Sequence, residues 1–325
     1  MFSYFLRKIL YAIPVLLGVN ILTFSLFFVL NSPDDMARAQ LGNKYVTPTM
    51  ISQWKVSHQY DLPLYYNETQ TGLAKWTDTL LFKKSLAQFT FQFGNSDQGR
   101  NINADISQRM WPSLAIAVPT LILEIIVNIG FALMLIFFRY TSFELTAVLI
   151  CVALMSISGL FYIIGGQYLF AKVLKLVPIS GYETGLDAWH FLILPIMIGV
   201  ISGIGSGTRW YRSIFMEEIS KDYVRTARAK GLSEVAVLFR HVLKNGMLPI
   251  LTSVVVIIPT LFMGSLLLES FFGIPGLGSY MIDAIRAQDF AIVRTMVFLG
   301  TVFYVLGLIL TDLTYLWVDP RVRLE

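Results

Sequence analysis

Four polar side chains interrupt long apolar stretches of this sequence: Glu124, Asn128, Glu269 and Asp312. A charged group at the centre of a membrane helix costs about 2.5–3.5 kcal/mol on insertion scales, so such groups usually face protein or water. Glu124 and Asn128 stand one helical turn apart and could line an aqueous passage. For Asp312 we expect structural pairing with the basic C-terminal tail, and for Glu269 pairing with a group of an outer polar segment.

The sequence lacks the patterns of an ATPase, a metalloprotease or a metal site. No Gly-x-x-x-x-Gly-Lys-Ser/Thr occurs, so the chain has no P-loop for nucleotide phosphates. His58, His190 and His241 are scattered, and the single cysteine, Cys151, fits a small buried apolar side chain. The glycines of 273–278 follow an apolar run rather than a strand, which favours a tight turn over a dinucleotide-binding loop. We therefore predict no catalytic residue, no metal site and no cofactor bound by this chain.

The elements that position these residues are membrane spans. Of the 325 residues, 55% are hydrophobic and 14% charged, whereas a soluble domain has about a quarter charged residues. A helix rises about 1.5 Å per residue, so roughly 20 apolar residues cross the hydrocarbon. Six runs are long enough, at 9–30, 114–138, 145–171, 191–214, 248–272 and 292–318. The sequence predicts an all-α integral membrane protein of about six transmembrane helices.

The basic residues indicate how these spans are oriented. The segment 209–244 holds eight Lys/Arg against four acids, and both termini add further basic residues on the same side. The positive-inside rule makes that side the cytoplasm, so we expect both termini to be cytoplasmic. We divide the chain into an N-terminal end with the first span (1–30), an outer segment (31–112) and a five-span core (113–325). The outer segment is aromatic enough to form a small folded extension.

The loop 212–247 within the core is predicted to form two short helices joined by a glycine turn. Ile219, Tyr223 and Ala227 recur at helical spacing, Gly231 suits the position after a helix C-terminus, and Ser233 suits an N-cap. Three interpretations fit this pattern. The segment is a solvated loop that only sets the topology, a surface that binds anionic lipid, or a hairpin on which a partner protein docks. Tethering between two spans argues against nucleic-acid binding. An apolar tip favours protein docking, and its members are Val224, Ala227 and Leu232.

The run 222–233, Asp-Tyr-Val-Arg-Thr-Ala-Arg-Ala-Lys-Gly-Leu-Ser, resembles the ATPase-docking loop of binding-protein-dependent ABC importers, specifically the dipeptide/oligopeptide permease family. Further stretches that agree with this family are 93–96, 240–245, 248–249, 264–278 and 319–323. One departure concerns Arg225, Thr226 and Ala227, which occupy the positions of a Glu-Ala-Ala triplet in the general importer motif. We therefore expect docking to depend on shape and apolar contact rather than on a glutamate salt bridge.

The resemblance implies a non-catalytic permease subunit of an ATP-driven peptide importer in a bacterial inner membrane. Its implied partners are a second permease, two ATPase subunits that hold ATP and Mg²⁺, an extracytoplasmic binding protein, a di- or oligopeptide or a peptide-like substrate, and membrane lipid. The residues implied in ATPase docking are Tyr223, Val224, Arg225, Thr226, Ala227, Arg228, Ala229, Lys230, Gly231, Leu232, Ser233 and Glu234. A secondary transporter or channel that needs no ATPase is the alternative, with repeats or broken helices as its expected sign.

Overall fold

The computed structural model describes residues 2–42, 45–185 and 187–318, and the regular structure within these ranges is helical. In chain order the helices are α1 (Phe2–Leu30), α2 (Pro33–Leu41), α3 (Pro48–Ser57), α4 (Ala74–Thr77), α5 (Ile102–Phe137), α6 (Ser142–Met155), α7 (Gly159–Gly166), α8 (Ala188–Ile219), α9 (Asp222–Ala229), α10 (Glu234–Val237), α11 (Leu243–Ile257), α12 (Leu266–Phe272), α13 (Leu277–Arg286) and α14 (Phe290–Val318). Tighter or wider helical turns occur at Leu81–Ser85, Leu86–Thr90, Gln167–Val173, Leu238–Val242 and Ile258–Met263. The prediction of an all-α protein is confirmed.

Five helical stretches are long and apolar enough to cross a membrane. They are Leu6–Leu30, Ile102–Phe137, Ala188–Ile219, Glu234–Met263 and Phe290–Thr314. A sixth is a bent pair, Ser142–Met155 with Gly159–Val173, in which the two helices meet at 90°. The predicted number of about six spans is therefore confirmed when the bent pair counts as one span.

The bend corrects the straight span expected over 145–171. α6 ends at Met155, and Ser158 takes an extended conformation (φ −62°, ψ 142°) immediately before α7 begins. The hydroxyl of Tyr162 donates to the carbonyl oxygen of Leu154 at 2.8 Å, so it satisfies a group near the broken helix end. Apolar side chains continue on both sides of the break, and hydropathy therefore gives no sign of it.

The fifth span also differs from the expected 248–272. It begins at Glu234, because the helix continues without interruption through the π-helical turn Leu238–Val242. It ends at Met263, because Gly264 adopts φ +68° and ψ −173°, a conformation essentially restricted to glycine. Ser265 then caps α12 by accepting a hydrogen bond from the amide of Leu268 at 3.4 Å.

Residues 2–110 and 280–309 form one compact unit, which contains the outer segment. Its core joins α1 to the segment after it, through Phe24, Phe28, Met36, Ala37, Ile51, Trp54, Tyr60 and Leu80. Ser32 starts α2 with a reciprocal capping box to Asp35. The rings of Trp54 and Tyr60 stack with centroids 5.4 Å apart. The outer segment is thus folded on the first span.

Residues 111–279 form the main part of a second compact unit. One of its cores gathers residues of α5, α8, α9, α10 and the turn after α10, namely Ala132, Leu133, Ile136, Tyr211, Phe215, Ile219, Val224, Ala227, Val237, Leu238, Val242 and Ile250. A second core contains Ile116, Ile163, Leu194, Ile198, Phe272 and Ile274. The loop between α8 and α11 is therefore packed into the unit rather than suspended from it.

Candidate functional site

The segment from Ser220 to Leu243 forms a helical hairpin, which we call the 220–243 hairpin. Gly231 follows α9 with φ +81°, and its amide donates to the carbonyl oxygen of Arg228 at 2.9 Å. Ser233 accepts a hydrogen bond from the amide of Ala236 at 3.4 Å and caps α10. The turn chemistry predicted at Gly231 and Ser233 is present in the structure.

The apolar side of this hairpin faces the chain's own core. Val224 is 0% exposed and Ala227 4% exposed, and both pack in the cluster that contains Phe215 and Val242. Leu232 is partly buried against the same cluster. The expectation of an apolar docking tip is therefore wrong for Val224 and Ala227, because their burial stabilises the hairpin within this chain.

The outward side of the hairpin is mostly polar and basic, with two exposed apolar side chains at Val235 and Phe239. Its exposed residues are Ser220, Lys221, Asp222, Arg225, Thr226, Ala229, Lys230, Gly231, Ser233, Val235, Phe239 and Arg240. The side chain of Arg225 is 76% exposed, and its guanidinium lies 3.6 Å from the Asp222 carboxylate. A contact of this exposure contributes little to stability. Arg225, Lys230 and Arg240 are consequently exposed cations that a partner would meet.

Glu234 links the two helices of the hairpin to the end of α5. Its carboxylate accepts two hydrogen bonds from Arg228, Nε to Oε2 at 3.0 Å and Nη2 to Oε1 at 2.8 Å. Arg139 Nη1 also donates to Oε1, at 2.9 Å. The family resemblance included Arg228 and Glu234 among the docking residues, but the sequence did not predict that they pair, and nothing in it signals the participation of Arg139.

A second set of polar contacts attaches the base of the hairpin to α8. Tyr223 donates its hydroxyl proton to Glu218 Oε2 at 2.5 Å, and Lys221 forms an ion pair with the same carboxylate. Burial, together with the hydrogen bond to Glu218, raises the pKa of Tyr223 to about 12. Tyr223 is therefore a neutral donor at physiological pH. Nearby, Arg212 of α8 forms an ion pair with Glu144 of α6.

Glu124 and Asn128 are residues of α5, and their side chains pack against α8. Asn128 is 1% exposed, and its Oδ1 accepts a hydrogen bond from the hydroxyl of Thr208 at 2.9 Å. The two side chains fit there because α8 carries glycine at the contact points. A Cβ at Gly203 would lie 2.2 Å from Glu124 Oε1, and one at Gly207 would lie 2.2 Å from Asn128 Nδ2. The position of Asn128 indicates helix packing rather than exposure to a passage.

Glu269 sits in a pocket of backbone amides instead of pairing with the outer segment as expected. Its side chain is 1% exposed. Oε1 accepts from the amide of Ser265 at 3.1 Å, and Oε2 accepts from the amide of Ser279 at 3.0 Å. A Cβ at Gly264 would lie 2.0 Å from Oε1, and one at Gly276 would lie 2.2 Å from Oε2. The glycines make room for the carboxylate, which joins the start of α12 to α13.

Asp312 lies in α14, and the tail at 319–323 with which it was expected to pair is outside the described residues. The hairpin, the α5–α8 contact and the Glu269 pocket involve different residues, so the predicted polar positions do not form one site. Within the described ranges, no group of three or more His, Cys, Asp or Glu side chains could hold a metal ion.

A family model described as "Binding-protein-dependent transport system inner membrane component" matches residues 113–324, which include the hairpin and the Glu269 pocket. The chain belongs to this permease family. It is therefore a multi-pass inner membrane protein, and its resemblance to the family extends over the whole five-span core.

Full-length relatives of this permease carry more specific names. A putative peptide transport system permease protein of Brucella abortus (strain 2308) is 32% identical, with 98% of each chain covered. The dipeptide transport system permease protein DppB of Alkalihalophilus pseudofirmus is 28% identical over 99% of this chain and 100% of the relative. The oligopeptide transport system permease protein AppB of Bacillus subtilis is 27% identical with the same coverage. The similarity thus includes the outer segment, which lies before the family match.

Proposed function

We propose that this permease is a membrane subunit of an ATP-driven importer of di- or oligopeptides or peptide-like compounds. The observation that carries the proposal is the 220–243 hairpin, whose apolar side is buried in the chain's own core while Arg225, Lys230 and Gly231 face outward. A rigid, exposed element of this kind suits force transmission from a partner. The peptide substrate is inferred from the names of the relatives.

In this proposal the hairpin lies in the cytoplasm, as do both termini, and an ATPase subunit docks on it. A second permease encloses the passage with this chain, two ATPases hold ATP and Mg²⁺, and an extracytoplasmic binding protein delivers the peptide. Closure of the ATPases pushes the hairpin. Because its two helices are tied by Glu234 to Arg228 and Arg139, the push moves α5 and the fifth span together.

Reconstitution tests this proposal directly. The permease, its partner permease and its ATPases are placed in proteoliposomes with the binding protein, and uptake of a radiolabelled tripeptide is followed. We expect uptake to require ATP and Mg²⁺, and to stop when a catalytic residue of the ATPases is replaced. A complex that hydrolyses ATP but takes up no peptide would contradict the peptide assignment.

A secondary transporter is the second candidate, because the chain bends by 90° between α6 and α7 and breaks again at Gly264. Broken helices of this kind occur in secondary transporters. Uptake driven by an ion gradient in proteoliposomes without ATPases would favour this candidate.

The link from Glu234 to Arg228 gives a further prediction. We expect Glu234→Gln and Arg228→Gln each to lower the peptide uptake obtained per ATP hydrolysed, and the double variant to be no worse than the more damaging single variant. The side chains of Glu234, Arg228 and Arg139 are 21–34% exposed, so the coupling free energy should be modest, about 0.5–1 kcal/mol. Glu217→Gln is the matched control, since that side chain is 78% exposed. Fully additive losses would contradict the role given to this ion pair.

A further inference from the structure

A polar cavity of about 400 Å³ lies within the unit formed by residues 2–110 and 280–309. Its wall is built from the end of α3, the turn Leu81–Ser85, the bend at 92–99 and the first turn of α14. Small-molecule pockets have volumes of about 300–1,000 Å³. The cavity is therefore large enough for a small ligand, and none of the roles argued above uses it.

Arg294 carries a buried donor at this cavity. The residue is 4% exposed and lines the cavity wall. Its Nε donates to the carbonyl oxygen of Phe290 and its Nη2 to the hydroxyl of Tyr60, both at 3.3 Å. Nη1 has no hydrogen-bond partner among the described residues. Because arginine stays protonated in proteins, the cavity wall holds a positive charge, and one nitrogen of this guanidinium makes no hydrogen bond to the described residues.

Lys84 adds a second cation to the same wall. Its Nζ lies 5.0 Å from the centroid of the Tyr60 ring. Burial lowers the pKa of Lys84 and the charge of Arg294 lowers it further, whereas the charge of Asp97 acts in the opposite direction. A bound anion would favour the charged form of this ammonium group.

The two carboxylates of this region accept hydrogen bonds from other groups, although Asp289 Oδ2 has no partner among the described residues. Asp97 accepts from the Tyr60 hydroxyl at 2.9 Å and from the amide of Ala291 at 3.3 Å. Asp289 Oδ1 accepts from the amides of Asp97 and Ile292, at 3.2 and 3.3 Å. Asp97 lines the cavity and Asp289 does not. These bonds hold the bend at 92–99 against the start of α14, and Asp97 shares the cavity wall with the two cations.

We propose that this cavity binds the terminal carboxylate of a short peptide, with the Arg294 guanidinium and the Lys84 ammonium as its cationic partners. A carboxylate has two oxygens and can accept from both groups, and hydrogen bonds between charged partners are the strong ones. The cavity is larger than a carboxylate, and amide side chains at Gln88, Gln92 and Asn95 line the remainder. Such groups suit the peptide bonds that follow a terminal carboxylate.

The proposal rests on the peptide transport and the orientation proposed above, which place this cavity on the outer side of the membrane. It adds a first contact for peptide on the permease itself. Because the interaction is with the carboxylate and the backbone, it should be largely independent of the side chains of the peptide.

The test uses the assembled transporter in nanodiscs, without the binding protein, and trialanine as the probe. Saturation-transfer NMR and calorimetry measure binding at millimolar peptide. We expect trialanine to bind and trialanine amide, which lacks the carboxylate, to bind about tenfold more weakly, since a charge-assisted hydrogen bond is lost. This comparison needs no variant and so does not depend on the folding of a mutant.

Two variants then locate the site. Arg294→Gln and Lys84→Met should each weaken trialanine binding by about tenfold, in line with one charged donor lost. The matched control is Arg38→Gln, which removes an exposed arginine of α2 in the same unit and should leave binding unchanged. Equal binding of trialanine and its amide, or full binding by both variants, would overturn the proposal.

The possible failures can be told apart by measuring ATP-driven peptide uptake in parallel. No trialanine binding with intact uptake overturns the cavity site alone, whereas no ATP-driven uptake of any peptide overturns the proposed function. If trialanine does not bind but Arg294→Gln weakens association of the binding protein, the cations serve an acidic side chain of that protein and the peptide site is wrong.

Discussion

Replacing Gly231 by valine is expected to abolish ATP-driven uptake while the protein still inserts in the membrane. Gly231 has φ +81°, and a β-branched residue is strongly disfavoured there. The strain is on the order of 1–3 kcal/mol, too small to unfold the whole chain but enough to change the turn between α9 and α10. We expect peptide uptake to be lost and less ATPase to co-purify with the permease.

Two control variants separate turn geometry from other effects. Gly231→Asn should retain most of the uptake, because asparagine tolerates positive φ better than other residues do. Gly72→Val introduces the same residue at another glycine of positive φ (+61°), in the outer segment, with no atom within 4 Å of the added Cβ. It should leave ATPase association unchanged. Normal uptake by Gly231→Val would rule out the hairpin as the docking element.

Replacing Glu269 by alanine is expected to destabilise the permease more than any surface carboxylate does. The change removes the acceptor for the amides of Ser265 and Ser279, and each buried donor left without a partner costs about 1–3 kcal/mol. It also leaves a gap beside Gly264 and Gly276. We expect the apparent Tm of the purified protein to fall by roughly 5 °C or more.

Glu183→Ala is the control for this change, because Glu183 is exposed in the same unit, and its Tm should equal that of the wild type. Glu269→Gln should lie between the two, since the amide retains one oxygen as an acceptor but introduces two buried donors. If Glu269→Ala and Glu183→Ala have the same Tm, the amide pocket is not a source of stability.

Local signals in the sequence predict much of this structure, because they arise from interactions between near neighbours. The length of the apolar runs predicts where the spans lie. A glycine at position 231 followed by a serine at position 233 predicts a turn between two helices. The bend at Ser158 and the break at Gly264 were missed, because both are surrounded by apolar residues and hydropathy does not distinguish a broken helix from a straight one.

The site was harder to predict, because its contacts join distant parts of the chain. Arg139 is 95 positions from its partner Glu234, and the amides that surround Glu269 are close to it only once Gly264 has turned the chain. The direction of Val224 was misjudged for a related reason. An apolar residue on a short helix suits a partner's surface or the chain's own core equally well, and only packing decides between them.

In the function proposed above, the length of the fifth span gives the hairpin a mechanical role. Glu234–Met263 comprises 30 residues, or about 45 Å of helix at 1.5 Å per residue, although it can bend at the π-helical turn Leu238–Val242, at Gly246 and Pro249, and at the 3₁₀ turn Ile258–Met263. A tilt of about 10° transmitted along that whole length would carry the end at Met263 through roughly 8 Å. A small stroke at the hairpin would then become a wider displacement on the other side of the membrane.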